Sequence, residues 1–372
     1  MSRKVHRALL NFILLPPSLV FVLLFVVDGS GRASNLRVEG TSADLLEPQN
    51  QTMKKPERQT PDNPQVKTVL DKMAAAGIAQ PSTVADVRKA YLFYPKLSGT
   101  PEHVFRIEDR QIPGPAGNIP VRIYTPRSEN GLPILVFFHG GGFVAGSLDS
   151  HDVPLRSVAN HCECIVVSVA YRLAPENKYP AAPEDAYAAT KWVAEHGGDI
   201  GGDPQRIAVG GDGAGGNLAA VVTLMGRERG TPRPIFQLLI YPMLDASTMR
   251  PSWWAESNTP TVSRESKNEI LSLYLPTTGS LRDPFVAPLH AENLRNLPRA
   301  LIISYKNDAP MRAETEEYAD RLAHDGVVTK VSFYDTMIHG FFLMAGDLDD
   351  GRKCIEEMAN VLRDAFKSQT SP

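Results

Sequence analysis

Gly211-Asp212-Gly213-Ala214-Gly215-Gly216-Asn217-Leu218-Ala219 is the stretch on which the reading of this chain turns. It follows Arg206–Val209, a short strand-forming run, and leads into Gly215–Arg227, which is apolar at helical spacing. A strand, a tight glycine turn and a helix in that order make the setting of a nucleophile elbow, whose tip stands above the end of a sheet. The lysine and hydroxyl residue that close a phosphate-binding loop are missing, so the glycines do not read as a nucleotide site.

Working outward, His139-Gly140-Gly141-Gly142-Phe143 directly follows the run Ile134–Phe138. Three glycines in a row turn the backbone sharply and expose bare N–H groups. Such donors suit the oxyanion formed during acyl transfer. His139 reads as the residue that orients this loop, with Gly142 in support. His339 lies in Met337-Ile338-His339-Gly340-Phe341-Phe342, after the last strand-like run. Asp308 stands just beyond Ala300–Ser304.

The body of the chain alternates short β-rich runs with longer helical stretches. The runs are 103–107, 119–124, 134–138, 165–170, 206–209, 236–240, 300–304 and 329–333. Helices are expected at 154–160, 183–196, 215–227, 312–324 and 351–366. Runs such as ILVFF and CIVVSVA are apolar throughout, as in parallel strands covered on both faces. This alternation predicts an α/β fold with right-handed crossovers. The longest interruption, from Tyr241 to Pro298, holds Trp253, Trp254 and a helix near 263–275, and an excursion of that length reads as a lid or binding loop.

With 372 residues, 42% hydrophobic and 22% charged, the chain can bury a sizeable core. A net charge of −3 gives no footprint for nucleic acid. The first seven residues carry Arg3, Lys4 and Arg7, and residues 8–27 carry no charge. A basic start before an apolar run predicts residues 1–31 to be an export signal or a retained membrane anchor, attached through residues 8–27. Either one places the globular part outside the cytoplasm, periplasmic, secreted or membrane-anchored. Residues 32–64 are polar and read as a linker. Helices follow at 65–73 and 82–94. Of the three cysteines, Cys162 and Cys164 fall two apart in an expected strand, badly placed to bond each other. No Cys/His spacing predicts a metal site.

Several motifs occur in order along roughly residues 65–368: HGGGF (139–143), YRLAPE (171–176), YPAAPED (179–185), GDGAGGNLA (211–219), YPMLD (241–245), DPFVAPL (283–289) and MIHGFF (337–342). Together they resemble the hormone-sensitive-lipase-like, or GDXG, family of carboxylesterases and lipases. The resemblance implies an α/β-hydrolase fold at 101–368, with a mostly parallel central sheet, helices on both faces and a helical cap. The cap would comprise residues 65–100 and an insertion near 246–276. It also implies an oxyanion hole of Gly140, Gly141 and Ala214, a base at His339, an acid at Asp308, no cofactor, and a small hydrophobic ester or acid as ligand.

The sequence departs from that family at the elbow. The family pattern is Gly-Asp-Ser-Ala-Gly, and here Gly213 stands at the serine position. Glycine cannot form an acyl-enzyme. No serine, threonine or cysteine lies between Arg206 and Val222 to replace it, and Asp212 is expected to point away from the site. The acid is also displaced. Counted from its strand it is Asp308, and counted back from Arg312 the position is Ala309. Three functions stay open: short-chain ester hydrolysis that is weak and water-assisted through His339 and Asp308, a non-catalytic ligand-binding module, and a lyase or cyclase driven by His339.

Overall fold

The computed structural model describes residues 26–27, 33–34, 62–78, 83–247, 264–305 and 309–367. The chain divides into two units, Met1–Lys55 and Pro56–Pro372. In the first unit, strand β1 (Val26–Val27) pairs antiparallel with β2 (Ala33–Ser34). Nearly all of residues 8–27 lie outside the described residues. Among the described residues no helix is long and apolar enough to cross a membrane.

The second unit is built on one sheet of eight strands: β3 (Arg106–Gly114), β4 (Gly117–Thr125), β5 (Leu132–Phe138), β6 (Ile165–Val169), β7 (Gly202–Asp212), β8 (Phe236–Ile240), β9 (Arg299–Tyr305) and β10 (Thr329–Tyr334). Their order across the sheet is β10-β9-β8-β7-β5-β6-β4-β3. The β3–β4 hairpin and its pairing to β6 are antiparallel, and the six strands from β6 to β10 run parallel. Helices α3 (Asp152–Cys162), α4 (Ala181–His196), α5 (Ala214–Arg229) and α7 (Ala309–His324) make the crossovers, and α8 (Asp349–Lys367) follows β10.

Side-chain alternation along β5 shows why helices cover both faces. Ile134, Val136 and Phe138 join Ala186 and Val193 of α4 and Leu218 and Val222 of α5 in one core. Leu135 and Phe137 join Leu155 and Val158 of α3 and Met358 and Leu362 of α8 in the other. Each of these side chains is buried, and full burial of the Val, Leu, Ile, Phe and Met side chains stabilises by about 1.5–3 kcal/mol apiece.

The first strand lies later than expected. It runs from Arg106 rather than His103, because residues 108–114 pair across a tight hairpin with 117–123 although only Ile112 among them is buried. Ladder hydrogen bonds at a half-exposed sheet edge do not need an apolar pattern. The segment 65–100 also splits in two. Helix α1 (Pro64–Ala75) buries Val66, Val69 and Met73 in the α8 core, while Lys72 pairs with Asp347 and Gln65 accepts from the Asp349 N–H. Only α2 (Val84–Phe93), capped by Thr83 and Asp86, covers the site.

The cysteine expectation is overturned. Cys162 and Cys164 form a disulfide, with Cα atoms 5.4 Å apart. They do not lie in one strand: Cys162 ends α3, Cys164 precedes β6, and Glu163 between them takes φ 54°. That left-handed residue folds the chain back and brings the two sulfurs together. Thiol titration of the denatured protein is therefore expected to find one reactive group, the buried Cys354, without reductant and three after reduction. Three without reductant would contradict the pairing.

Candidate active site

The elbow lies between β7, which ends at Asp212, and α5, which begins at Ala214. Gly213 takes φ 54° and ψ −113°, a conformation in which side chains are strained. Its neighbours hold it there. The Gly213 N–H donates to Ile240 O at 2.9 Å, and Gly213 O accepts from Met243 N and Asn217 N at 3.1 Å. The Asn217 amide donates to Met243 O and Val286 O at 2.8 Å, which ties the 283–289 segment to the turn. Gly215 is required for contact between helix and sheet, since a Cβ there would lie 1.8 Å from Phe138 O.

Opposite the elbow stands the glycine loop after β5. His139 is buried, stacks on Tyr171 at 4.3 Å, and its carbonyl accepts from the Tyr171 hydroxyl at 2.7 Å. Burial first, and His151 second, push its imidazole down to about 4, against the opposing Gly140 carbonyl and Asp212. The Gly140 N–H donates to Asp212 Oδ1 at 2.8 Å. That hydrogen is spent inside the protein, and Gly140, expected in the oxyanion hole, is absent from the cavity wall. Gly141, Gly142 and Ala214 line the cavity, and their N–H groups have no internal acceptor among the described residues. Gly142, expected only as support, lies on the cavity wall beside Gly141.

Asp212 points away from the cavity, as expected, and into a polar network. It also accepts from His151 Nε2 at 2.9 Å and from the Tyr241 hydroxyl at 3.4 Å. Burial opposes its charge, but His151 and the Gly140 N–H outweigh this and hold its carboxyl below the usual range. His151 Nδ1 lies 2.9 Å from Ser150 Oγ. Sequence reasoning missed His151. Its only signal was a polar pair between a glycine loop and an apolar helix.

His339 follows β10 and faces the elbow. A Cβ built on Gly213 would stand 3.4 Å from His339 Nε2. The imidazole packs on Tyr241 with ring centres 4.7 Å apart. Burial pushes it down to about 4, with Asp212 opposing, so it is neutral at pH 7 and Nε2 can accept a proton. Its Nδ1 is buried with no hydrogen-bond partner among the described residues. Asp308, the residue expected to accept there, lies outside the described residues, as do Trp253 and Trp254. Ala309, the other candidate for the acid position, opens α7.

A cavity of about 120 Å³ joins these groups. Val87, Ala90 and Tyr91 of α2 and Tyr94 just after it form one wall. Ser266, Lys267 and Ile270 of α6 (Arg264–Tyr274) form another, and Met243 and Met311 complete it. The expected cap insertion near 246–276 therefore reaches the site through α6. Two charged contacts hold the cap down. Arg88 donates to Val144 O at 2.8 Å and pairs with Glu176. The buried Lys267 pairs with Glu314 at 2.8 Å, and Glu314 also accepts from the Leu244 and Asp245 N–H groups. Among the described residues no three His, Cys, Asp or Glu side chains cluster to hold a metal.

The two depressed histidines have a consequence for stability. Between pH 6.5 and about 4 the unfolded chain takes up protons at His139 and His339 that the folded chain refuses. Stability is therefore expected to fall as pH is lowered through that window. Thermal melts at pH 4.5 and 7 test this, and a His339→Asn variant should lose less on acidification than the parent. An unchanged or rising melting temperature at pH 4.5 would refute it.

Comparison with known proteins agrees with this geometry. The profile of an alpha/beta hydrolase fold family matches residues 135–343. The chain is 42% identical over 264 residues to esterase LipI of Mycobacterium tuberculosis (strain ATCC 25618 / H37Rv), covering 70% of this chain and 82% of that one. It is 34% identical over 257 residues to an arylesterase of Saccharolobus solfataricus, covering 67% and 80%. Among solved structures, an esterase of Pyrobaculum calidifontis superposes with TM-score 0.75 at 38% identity, covering 81% of this chain and 98% of that one. The motifs, the eight-stranded sheet and these relatives agree: the chain belongs to the hormone-sensitive-lipase-like family of α/β hydrolases.

Proposed function

We propose that this chain binds a small hydrophobic carboxylic ester beneath α2 and α6 and hydrolyses it slowly, with water in place of the nucleophilic side chain. The observation that carries the reading is the geometry at Gly213. The elbow keeps its strained backbone, His339 Nε2 stands 3.4 Å from the place a Cβ on Gly213 would take, and Gly141, Gly142 and Ala214 line the same cavity. The ester carbonyl sits against the N–H groups of Gly141, Gly142 and Ala214. Neutral His339 takes a proton from water as it attacks, and Asp308 receives the Nδ1 hydrogen. The N–H groups stabilise the tetrahedral oxyanion, and His339 returns the proton to the leaving alcohol. Esterases that lose one triad member keep about 10³–10⁴-fold catalysis over water, the scale expected here.

Hydrolysis of p-nitrophenyl butyrate by the full chain, beside Gly213→Ser and His339→Ala, tests this. The native chain is expected to exceed His339→Ala. Gly213→Ser is expected to gain about 10³-fold or more, since its Cβ meets only His339, while losing about 1 kcal/mol of stability to the positive φ. A serine variant that stays silent would mean that base and donors do not act together. A silent native chain that still binds the ester would be a ligand-binding module.

Residues 1–31, in this reading, export or anchor the protein, and the globular unit works outside the cytoplasm. The basic start and uncharged run support it. So does the Cys162–Cys164 disulfide, a bond that persists in oxidising compartments. Cell fractionation is expected to find the full chain outside the cytoplasm and a chain lacking residues 1–31 inside. Equal distribution of the two would reject it.

A further inference from the structure

The glycines of the two loops differ in the space beside them. A Cβ would stand 2.5 Å from Asp212 Oδ2 at Gly140, 2.2 Å from Ala145 O at Gly141 and 2.9 Å from Ile270 Cδ1 at Gly142. At Gly211 it would lie 2.4 Å from Gly215 backbone, and at Gly215 1.8 Å from Phe138 O. Gly141, Gly211 and Gly215 are closed by backbone and Gly140 by the tethered Asp212 carboxylate, while at Gly142 the end of the Ile270 side chain would have to move. At Gly213 the first atoms met are His339 Nε2 at 3.4 Å and Cε1 at 3.6 Å, ordinary van der Waals distances. The open direction therefore points at the base, inside a cavity whose wall is mostly apolar: Val87, Ala90, Met243, Ile270 and Met311. The cavity of about 120 Å³ onto which this opening faces has room for a body of one or two heavy atoms with its oxygen against Nε2, and its apolar wall favours a methyl or ethyl group over water alone.

We infer that small primary alcohols occupy this place beside Gly213 and take the acyl group directly, so that the protein is an acyltransferase to methanol- or ethanol-sized acceptors as well as a hydrolase. The inference rests on the ester-cleaving reading above and adds the second substrate. The alcohol oxygen attacks the ester carbonyl while its proton passes to His339 Nε2. The oxyanion faces the N–H groups of Gly141, Gly142 and Ala214. The bond to the leaving alcohol then breaks, and that alcohol takes the proton from Nε2. One ester and one alcohol give another ester and another alcohol in a single displacement, with no covalent enzyme intermediate and no other reactant. A held acceptor reacts at an effective concentration above its bulk value.

The test is p-nitrophenyl butyrate cleavage by the full chain in the presence of methanol, ethanol or 2-propanol, with nitrophenol release and alkyl butyrate measured together. Methyl butyrate is expected to exceed methanol's molar share of the solvent by about tenfold or more. Yield should fall from methanol through ethanol to 2-propanol, and the excess should vanish in Gly213→Ala, whose methyl group fills the space. Cleavage that depends on His339 but gives methyl butyrate only in proportion to solvent would overturn the inference and leave slow hydrolysis standing. Cleavage no greater than that of His339→Ala, with or without alcohol, would overturn both. An excess that survives in Gly213→Ala would place the alcohol elsewhere and also overturn the inference.

Discussion

A fully buried carboxylate, Asp212, is the contact on which the geometry of the site depends. It takes a backbone hydrogen from Gly140 at 2.8 Å, an imidazole hydrogen from His151 at 2.9 Å and a hydroxyl hydrogen from Tyr241 at 3.4 Å. Burying a charge without such partners would be costly, and leaving one donor unpaired would cost about 1–3 kcal/mol. The network therefore has one satisfied arrangement. In it the end of β7, the loop after β5 and the turn after β8 are locked together. The Gly140 hydrogen is used as a tether, while Gly141 and Gly142 line the cavity.

Close packing does the rest. Gly211 and Gly215 let the first turn of α5 cross the end of β5 at a distance no side chain would allow. The helix N-terminus, the positive end of its dipole, thereby arrives beside the glycine loop on the same cavity. Because these constraints act on the backbone, they do not depend on what the elbow tip carries. Glycine at 213 relaxes a strained position and leaves the frame intact. The machinery around the missing hydroxyl is thus preserved by the physics of the fold, whatever chemistry it performs.

Much of the fold could be read from residues. The parallel strands β5, β6, β8 and β9 are short, apolar and separated by helical stretches, so their burial is written into their composition. The edge strand β3 was misplaced because ladder pairing at a solvated edge needs no apolar run. The disulfide was missed because it depends on one residue, Glu163, adopting a left-handed conformation between a helix end and a strand start. At the site, His139, Asp212, Gly213, Ala214 and His339 were identifiable from their place after strands. His151, Lys267 and Glu314 were not, since each acts through partners 47 to 70 positions away.

The sequence by itself determined the fold class, the positions of the elbow, glycine loop and histidine, and the absence of a nucleophile at 213. These are local facts: a residue type, its neighbours and their periodicity. Only the tertiary structure decided which N–H groups are free. It sent the Gly140 hydrogen to Asp212, and it left room beside Gly213 that faces His339. It divided the 65–100 segment between a core helix and a cap helix. Those outcomes are set by distances between segments far apart in the chain, where a shift of an ångström separates a hydrogen bond from a collision, and no reading of neighbouring residues contains that information.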